Sequence, residues 1–85
     1  MSREVEWSPA SSDDLERLDR RTQERIRQAV YRLAETNQGG VQRLHGRERE
    51  WRLRVGQWRI RFAFDDEKGS MLIFRVLLRG SAYRP

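Results

Sequence analysis

The sequence predicts an α+β fold, in which a small antiparallel sheet carries a two-helix hairpin on one face. Three patterns predict it. Apolar residues recur at helical spacing between residues 9 and 35, residues 51–62 alternate between apolar and polar on both sides of a Gly-Gln pair, and residues 71–78 are almost continuously apolar. These patterns are typical of amphipathic helices, of strands with one buried face, and of a strand inside a sheet. The predicted element order is β-α-α-β-β-β.

The N-terminal half of the chain predicts one strand followed by two helices. Residues 4–7 alternate and form the strand, which ends at Ser8-Pro9 because proline suits the first turn of a helix. The helices are predicted over residues 9–18 and over residues 22–35, with Thr22 as N-cap of the second. The apolar stripe of the second helix is Ile26, Ala29, Val30, Leu33 and Ala34. Neither Gly nor Pro separates the helices, so one continuous helix stays open as an alternative.

Residues 51–62 predict a β-hairpin with two unlike faces. Gly56-Gln57 fits a two-residue turn, in which glycine supplies the positive φ. Pairing outward from this turn places four arginines on one face as two directly opposed pairs. These pairs are Arg54 with Arg59 and Arg52 with Arg61. The core face takes Trp51, Leu53, Val55, Trp58, Ile60 and Phe62. Opposed like charges destabilise a sheet, so the arginines indicate an anionic partner.

The remaining segments predict further strands and a polar turn. Asn37-Gln38-Gly39-Gly40 ends the second helix, and residues 41–44 are a possible short strand. Residues 65–70 form a polar turn before the apolar strand at residues 71–78. Arg75 is the single charge in that strand and requires a partner or exposure, and both a salt bridge to a helix acid and a role in the site stay open. By parity it groups with Met71, Ile73 and Leu77.

Length and composition limit the class of protein. With 85 residues the chain is predicted to be a single domain, residues 1–85, with a core near the small end of what folds unaided. No apolar run approaches the ~18 residues of a membrane span, and the first residues lack the apolar core of a signal peptide. The absence of cysteine excludes disulfides and thiolate metal sites. We therefore expect a cytoplasmic protein with no membrane partner.

The positive charge is concentrated in one segment. The net charge is +5, and residues 41–64 hold seven arginines against two acids, whereas residues 1–40 hold seven arginines against eight acids. A genome that favours arginine codons explains the use of arginine over lysine, but it does not explain the clustering. Clustered arginines on one face favour binding of nucleic-acid phosphates or of an acidic protein.

Several segments together resemble a known family. They are Val5-Glu6-Trp7-Ser8-Pro9-Ala10, Asp14-Leu15-Glu16-Arg17-Leu18, residues 51–60, Arg75-Val76-Leu77, and Arg79 with Tyr83. In this combination they resemble the RelE/ParE toxins of bacterial and archaeal toxin–antitoxin modules, over nearly the whole chain. The resemblance implies a RelE-like fold and a type II toxin that a cognate antitoxin protein neutralises. In this family RelE-type members cut mRNA in the ribosomal A site and so inhibit translation, whereas ParE-type members poison DNA gyrase.

The resemblance also implies site residues. Arg52 and Arg54 match two basic strand positions of the RelE active site, and Arg59 matches the arginine after the hairpin turn. Arg79 and Tyr83 match the C-terminal arginine and tyrosine. The implied activity is that of an endoribonuclease, an mRNA interferase, which needs neither metal nor cofactor; the scattered acids and single histidine of this sequence suggest no metal site either. Guanidinium groups suit the chemistry because they bind phosphate oxygens bidentately and stabilise developing charge.

The general base is open at this stage. The best-studied relatives have lysines where this chain has Arg52 and Arg54, and arginine keeps its proton at neutral pH. The remaining candidates are Tyr83, Glu50, His45 and water. Glu48 and Glu50 are better interpreted as loop acids that screen nearby arginines, and a lone histidine such as His45 is more often a surface residue. Trp51 and Trp58 are assigned to packing rather than to base stacking.

The sequence therefore predicts an RNA-phosphate clamp. Its RNA-binding residues are Arg52, Arg54, Arg59 and Arg61, and its catalytic residues are Arg52, Arg54, Arg59, Arg79 and Tyr83. Two alternatives stay open: a ParE-type gyrase inhibitor without catalytic residues, and a non-toxic remnant whose basic face only docks its antitoxin. Tyr83 favours the endoribonuclease, because ParE-type chains commonly lack this tyrosine.

Overall fold

The computed structural model describes residues 2–43 and 50–80 of the chain. This part of the chain contains two helices and five strands. In chain order, the strands β1 to β5 are Glu4–Trp7, Gly40–Arg43, Trp51–Val55, Trp58–Asp65 and Ser70–Leu78. The helices α1 and α2 are Pro9–Glu16 and Arg20–Thr36, between β1 and β2. The predicted α+β class is confirmed, and the possible strand after the second helix is present as β2.

The sheet is mixed rather than antiparallel throughout. Its strand order is β1-β5-β4-β3-β2, and every neighbouring pair is antiparallel except β1 and β5, which run parallel. The chain between these two strands passes through both helices and three strands, so β1 is free to join β5 in either direction. The prediction of an antiparallel sheet was therefore wrong at this edge, while the interior position predicted for β5 is confirmed.

Each of the two helices begins after its own polar N-cap residue. Ser8 caps α1 by accepting a hydrogen bond from the Ser11 N–H, with Pro9 in the first turn. Asp19 caps α2 by accepting from the Thr22 N–H at 3.2 Å. The second helix thus begins two residues before the predicted N-cap, and Thr22 is a donor to the cap instead of the cap itself. A single continuous helix is excluded.

One apolar core lies between the two helices and a single face of the sheet. Its buried members are Leu15, Ile26, Val30, Leu33, Ala34, Leu53, Val55, Ile60, Phe62, Met71, Ile73 and Val76. Trp51 and Trp58 are half-buried and pack against this core, which confirms their assignment to packing. In the part of the chain that the structure describes, neither helix is both long and apolar enough to cross a membrane.

The β3–β4 hairpin has the predicted register. Val55 pairs with Trp58 across the Gly56-Gln57 turn, and the two arginine pairs oppose each other as expected. Gly56 has a φ of 59°, and Gln57 does not share this sign, which is the pattern of a type II′ turn. The alternation of residue types was therefore enough to place every side chain of the hairpin on its correct face.

A β-bulge in β5 overturns the predicted parity of Arg75. Ile73 pairs with Phe62 and Arg75 pairs with Arg61, so Phe74 is an extra residue without a partner on β4. As a result Met71 and Ile73 face the helices, whereas Arg75 and Leu77 have the register of the opposite face. Leu72 and Leu77, on that face, are half-buried rather than covered.

Candidate functional site

The sheet surface opposite the helices carries Arg52, Arg54, Arg59 and Arg61, and we call it the arginine face. The four side chains come from adjacent strands, β3 and β4, and lie in directly opposed pairs. Two of the four, Arg52 and Arg59, are buried, with exposed fractions of 6% and 5%. Arg54 is exposed. The four arginines therefore share a face but differ in their surroundings.

Arg59 is held rigidly at the hairpin turn. Its Nη1 donates hydrogen bonds to the Gly56 carbonyl at 2.8 Å and to the Trp58 carbonyl at 2.9 Å. Burial lowers the pKa of Arg59, and the charges of Arg54 and Arg79 lower it further. The two carbonyls occupy Nη1, and within residues 2–43 and 50–80 Nε and Nη2 remain as donors for an anion.

Arg52 belongs to the same electrostatic cluster. Burial lowers its pKa first, followed by the charges of Arg59 and Arg54. Arginine nevertheless stays protonated at neutral pH, so neither residue becomes a base. The positive charges of Arg59 and Arg54 repel that of Arg52, and those of Arg54 and Arg79 repel that of Arg59. An anion placed among them relieves this repulsion.

Arg61 and Glu50 form an ion pair at the other end of the arginine face. Nη2 of Arg61 donates to both carboxylate oxygens of Glu50, at 3.0 and 2.9 Å. Their side chains are 12% and 17% exposed. The charge of Arg61 is thus neutralised within the chain, and Glu50 has the screening role expected of it. RNA binding by Arg61 stays a prediction.

Arg79 reaches the arginine face from the end of β5. Its backbone N–H donates to the Gln57 carbonyl at 2.7 Å, which extends the β4–β5 pairing to the hairpin turn. The side chain is exposed, and its charge acts on Arg59. The fold therefore brings Arg79 beside Arg59, as the site prediction requires. Tyr83, His45 and Glu48 lie outside the described residues, so their predicted roles stay predictions.

Arg75 pairs with an acid on α1. Its Nε and Nη2 donate to the two carboxylate oxygens of Asp14, at 2.8 and 3.0 Å, and the Val76 N–H donates to the same carboxylate at 2.9 Å. Burial alone raises the pKa of Asp14, but the hydrogen bonds from Arg75 and Val76 and the charge of Arg75 outweigh it and hold that pKa below its usual value. Of the alternatives left open by the sequence, the salt bridge to a helix acid is observed, and the Arg75 side chain is also exposed.

Sequence reasoning did not single out Asp14. The one signal was indirect, because a lone charge inside an apolar strand requires a partner and several helix acids could supply it. Across residues 2–43 and 50–80, no three metal-ligating side chains gather into a group that could hold a metal ion.

Comparison with known proteins identifies the family. A family model described as the ParE toxin of the type II toxin–antitoxin system parDE matches residues 5–83. The chain belongs to the RelE/ParE toxin superfamily. This confirms the resemblance carried by the strand, hairpin and C-terminal segments. No curated protein matches the toxin by sequence.

Solved structures show the same fold. The toxin is similar to a chain of the RelBE2 toxin–antitoxin complex of Mycobacterium tuberculosis, with a TM-score of 0.79, 24% identity, and coverage of 93% of this chain and 100% of that one. A chain of the RelE–RelB complex of Pyrococcus horikoshii gives 0.78 at 19% identity, covering 94% and 98%. A chain of the RelB–RelE complex of Methanococcus jannaschii gives 0.73 at 20% identity, covering 91% and 93%. At these identities the likeness establishes the fold.

Proposed function

We propose that this toxin is a ribosome-dependent, metal-independent endoribonuclease that acts in the cytoplasm, cleaves mRNA in the ribosomal A site and thereby inhibits translation. The observation that supports it is the meeting of Arg54, Arg59 and Arg79 at the hairpin end of the arginine face. Within the described residues, none of the three is bonded to a carboxylate. Their charge is therefore available to a phosphate.

The three arginines have different roles in binding the phosphate. Arg59, fixed by two carbonyls, offers a preorganised donor to a non-bridging phosphate oxygen, and preorganised donors need no rearrangement as charge develops. Arg54 and Arg79 are exposed and close over the same phosphate from two strands. Attack by the adjacent 2′-oxygen gives a five-coordinate phosphorus whose added negative charge these groups stabilise. The bond from phosphorus to the 5′-oxygen then breaks, which leaves a 2′,3′-cyclic phosphate, and the departing 5′-oxygen takes up a proton.

Proton transfer requires a further group. Glu50 is engaged by Arg61, so that carboxylate must leave its ion pair before it can accept a proton. Tyr83, His45 and water are the other candidates. Alignment of the 2′-oxygen with the phosphate comes from the ribosome, which holds the mRNA, and such alignment alone accelerates a reaction by several orders of magnitude.

Purified ribosomes carrying a defined mRNA test this proposal. We expect the toxin to cut within the A-site codon, as mapped by primer extension, and Arg59→Ala and Arg79→Ala each to lower the cleavage rate on the order of 100-fold, since each removes a charged donor to the phosphate. Arg27→Ala is the matched control, because it removes the same charge from the exposed side of α2. Intact mRNA with every variant, the unaltered toxin included, would contradict the proposal.

A second candidate is inhibition of DNA gyrase, and the match to the ParE toxin model favours it. In this case the arginine face is a docking surface and no bond is cleaved. Supercoiling assays with purified gyrase distinguish the two functions. Inhibition by the toxin, together with a DNA-damage response and uncut mRNA in expressing cells, would establish the gyrase function instead.

The toxin's partner in either case is proposed to be a cognate antitoxin. The solved structures similar to it are toxin–antitoxin complexes. Arg54, Arg59 and Arg79, which bond no carboxylate within the described residues, suit an acidic segment of such a protein. Normal growth of cells that express large amounts of folded toxin would leave antitoxin binding as the one remaining role of this face.

A further inference from the structure

The bulge in β5 decides which side of the sheet receives the end of that strand. Before the bulge, Met71 and Ile73 face the helices, and after it the odd-numbered residues Arg75 and Leu77 pair with Arg61 and Arg59 on the arginine face. Arg79 continues this parity, opposite Gln57. A shift of one residue moves every side chain of a strand to the other face, so a regular β5 would direct Arg79 to the helix side.

The N-terminus of α1 binds the bulged segment of β5 along its outer edge. The parallel pairing of β1 with β5 ends at Trp7 and Ile73. Ser8, the next residue, continues the contact with β5 through two hydrogen bonds. Its N–H donates to the Ile73 carbonyl at 3.0 Å, and its Oγ donates to the Phe74 carbonyl at 2.9 Å. Asp14 then accepts the N–H of Val76 at 2.9 Å. Ser8 and Asp14 therefore bond backbone groups of β5 that lie beyond its pairing with β1.

An ion pair between Asp14 and Arg75 adds a contact directly after the bulge. The carboxylate side chain is 11% exposed and binds Arg75 at 2.8 Å, while the Arg75 side chain is 45% exposed. A half-exposed ion pair adds little to global stability. The same carboxylate, however, fixes two consecutive residues of the strand immediately after the extra residue. Its geometric effect therefore falls on the register of residues 75–79.

We propose that Asp14 and Arg75 are a positioning pair, which holds the β5 bulge so that Arg79 is delivered beside Arg59 on the arginine face. The catalytic consequence rests on the endoribonuclease function proposed above. The positional consequence does not, because the place of Arg79 is a property of the folded chain alone. The two consequences are measured separately.

Amide hydrogen exchange on the isolated toxin tests the position of Arg79. In Asp14→Ala we expect the Arg79 amide, which donates to Gln57, to exchange at least about tenfold faster while amides of the β3–β4 hairpin keep their rates, as in local opening. Asp13→Ala is the matched control, since this neighbouring acid is exposed and bonds neither Arg75 nor Val76. An unchanged Arg79 amide, or a uniform increase over the whole sheet, overturns the proposal.

A double-mutant cycle on ribosomes tests the catalytic consequence. We expect Asp14→Ala to lower the cleavage rate on the order of 10- to 100-fold, and to have no added effect when Arg79 is already alanine, because the pair acts through Arg79. A full added effect in that background contradicts positioning through Arg79. Should the unaltered toxin cleave nothing, the endoribonuclease proposal fails and the exchange experiment still decides the positional one.

Two conservative variants keep the test decisive if Asp14→Ala does not fold. Asp14→Asn keeps an acceptor for the Val76 N–H but loses the charge that binds Arg75, and Arg75→Lys keeps the charge but loses the two-point contact. We expect both to show faster exchange at Arg79 than the unaltered toxin and slower exchange than Asp14→Ala or Arg75→Met. Exchange at the unaltered rate in both conservative variants counts against the positioning pair.

Discussion

At the scale of single residues, the arginine face shows that identical side chains acquire different chemistry from their neighbours. Arg59 is tied to carbonyls of its own turn and Arg61 to Glu50, whereas Arg54 is exposed. Three roles follow: Arg59 is a fixed donor, Arg61 is a neutralised charge and Arg54 is an exposed charge. A sequence lists four equivalent arginines, and only the surroundings separate them.

A pH-dependent contribution to stability is predicted for Asp14. Its pKa is below the usual value of 3.8, so the unfolded chain binds more protons than the folded one, and stability rises with pH in this range. The contribution is complete at neutral pH and is lost as the pH falls through the lowered pKa. We expect Asp14→Asn to reduce the free energy of unfolding by only about 0.5 kcal/mol at pH 7, because Arg75 is half-exposed.

Urea titrations at pH 7 and near pH 3 measure this effect. The difference between Asp14→Asn and the unaltered toxin should be smaller near pH 3 than at pH 7, because the unfolded chain of the unaltered toxin is protonated at Asp14 at the lower pH. Asp13→Asn serves as the comparison. A difference that stays constant between the two pH values would rule out a charge-based contribution.

At the scale of elements, the β3–β4 hairpin has a regular register, whereas the register of β5 is interrupted by a bulge. The hairpin follows its two-residue alternation without exception, since one glycine turn sets the register for both strands. In β5 an extra residue at Phe74 interrupts the alternation, and its edge is bound partly by β1 and partly by α1. The edge of β5 is therefore bonded to an element more than sixty residues earlier in the chain.

Replacement of Gly56 tests the hairpin turn. Its φ is 59°, and a Cβ there would lie 2.9 Å from Nη2 of Arg25 on α2. We expect Gly56→Ala to lower the free energy of unfolding by roughly 1–2 kcal/mol, chiefly because a residue with a Cβ disfavours the left-handed conformation. The midpoint of urea unfolding measures the loss.

Gly69→Ala is a closely matched control for that variant. Gly69 has a φ of 66° but would place its Cβ in open space, so it bears the conformational cost without the crowding by Arg25. We expect Gly56→Ala to be the more destabilising of the two. Equal losses would show that the Arg25 side chain moves aside freely.

At the scale of the whole molecule, one small core supports both the fold and the site. The helices pack on the face opposite the arginines, so the aromatic and branched residues beneath the hairpin hold the arginine face in shape. Phe62 is fully buried and meets the Phe64 ring edge-on, with centroids 5.2 Å apart. In a chain of this length few other contacts can compensate for its loss.

Truncation of this central residue is expected to unfold much of the population. Phe62→Ala should lower the free energy of unfolding by about 3–5 kcal/mol, a large part of the stability of a small domain. Circular dichroism during thermal unfolding measures the shift. Tyr31→Ala, which removes an aromatic ring that is 43% exposed, should change the midpoint little, and equal shifts would contradict a core centred on Phe62.

The sequence by itself determined the class of fold, the hairpin with its register, the face that packs on the helices and the clustering of arginines on the other. The hairpin features are local, because the alternation of residue types and the glycine turn both lie within residues 51–62. The family followed from short segments, namely the first strand and helix, the hairpin, and the strand with Arg79 and Tyr83.

Only the tertiary structure decided the features that join distant parts of the chain. The parallel pairing of β1 with β5 and the Asp14–Arg75 ion pair join distant parts of the chain, and the bulge at Phe74 lies beside them in β5. No local pattern encodes such contacts, since they form only when the helices and the sheet pack together. For this reason the sequence predicted Arg79 as a site residue, but the bulge that brings it to the arginine face became visible only in the fold.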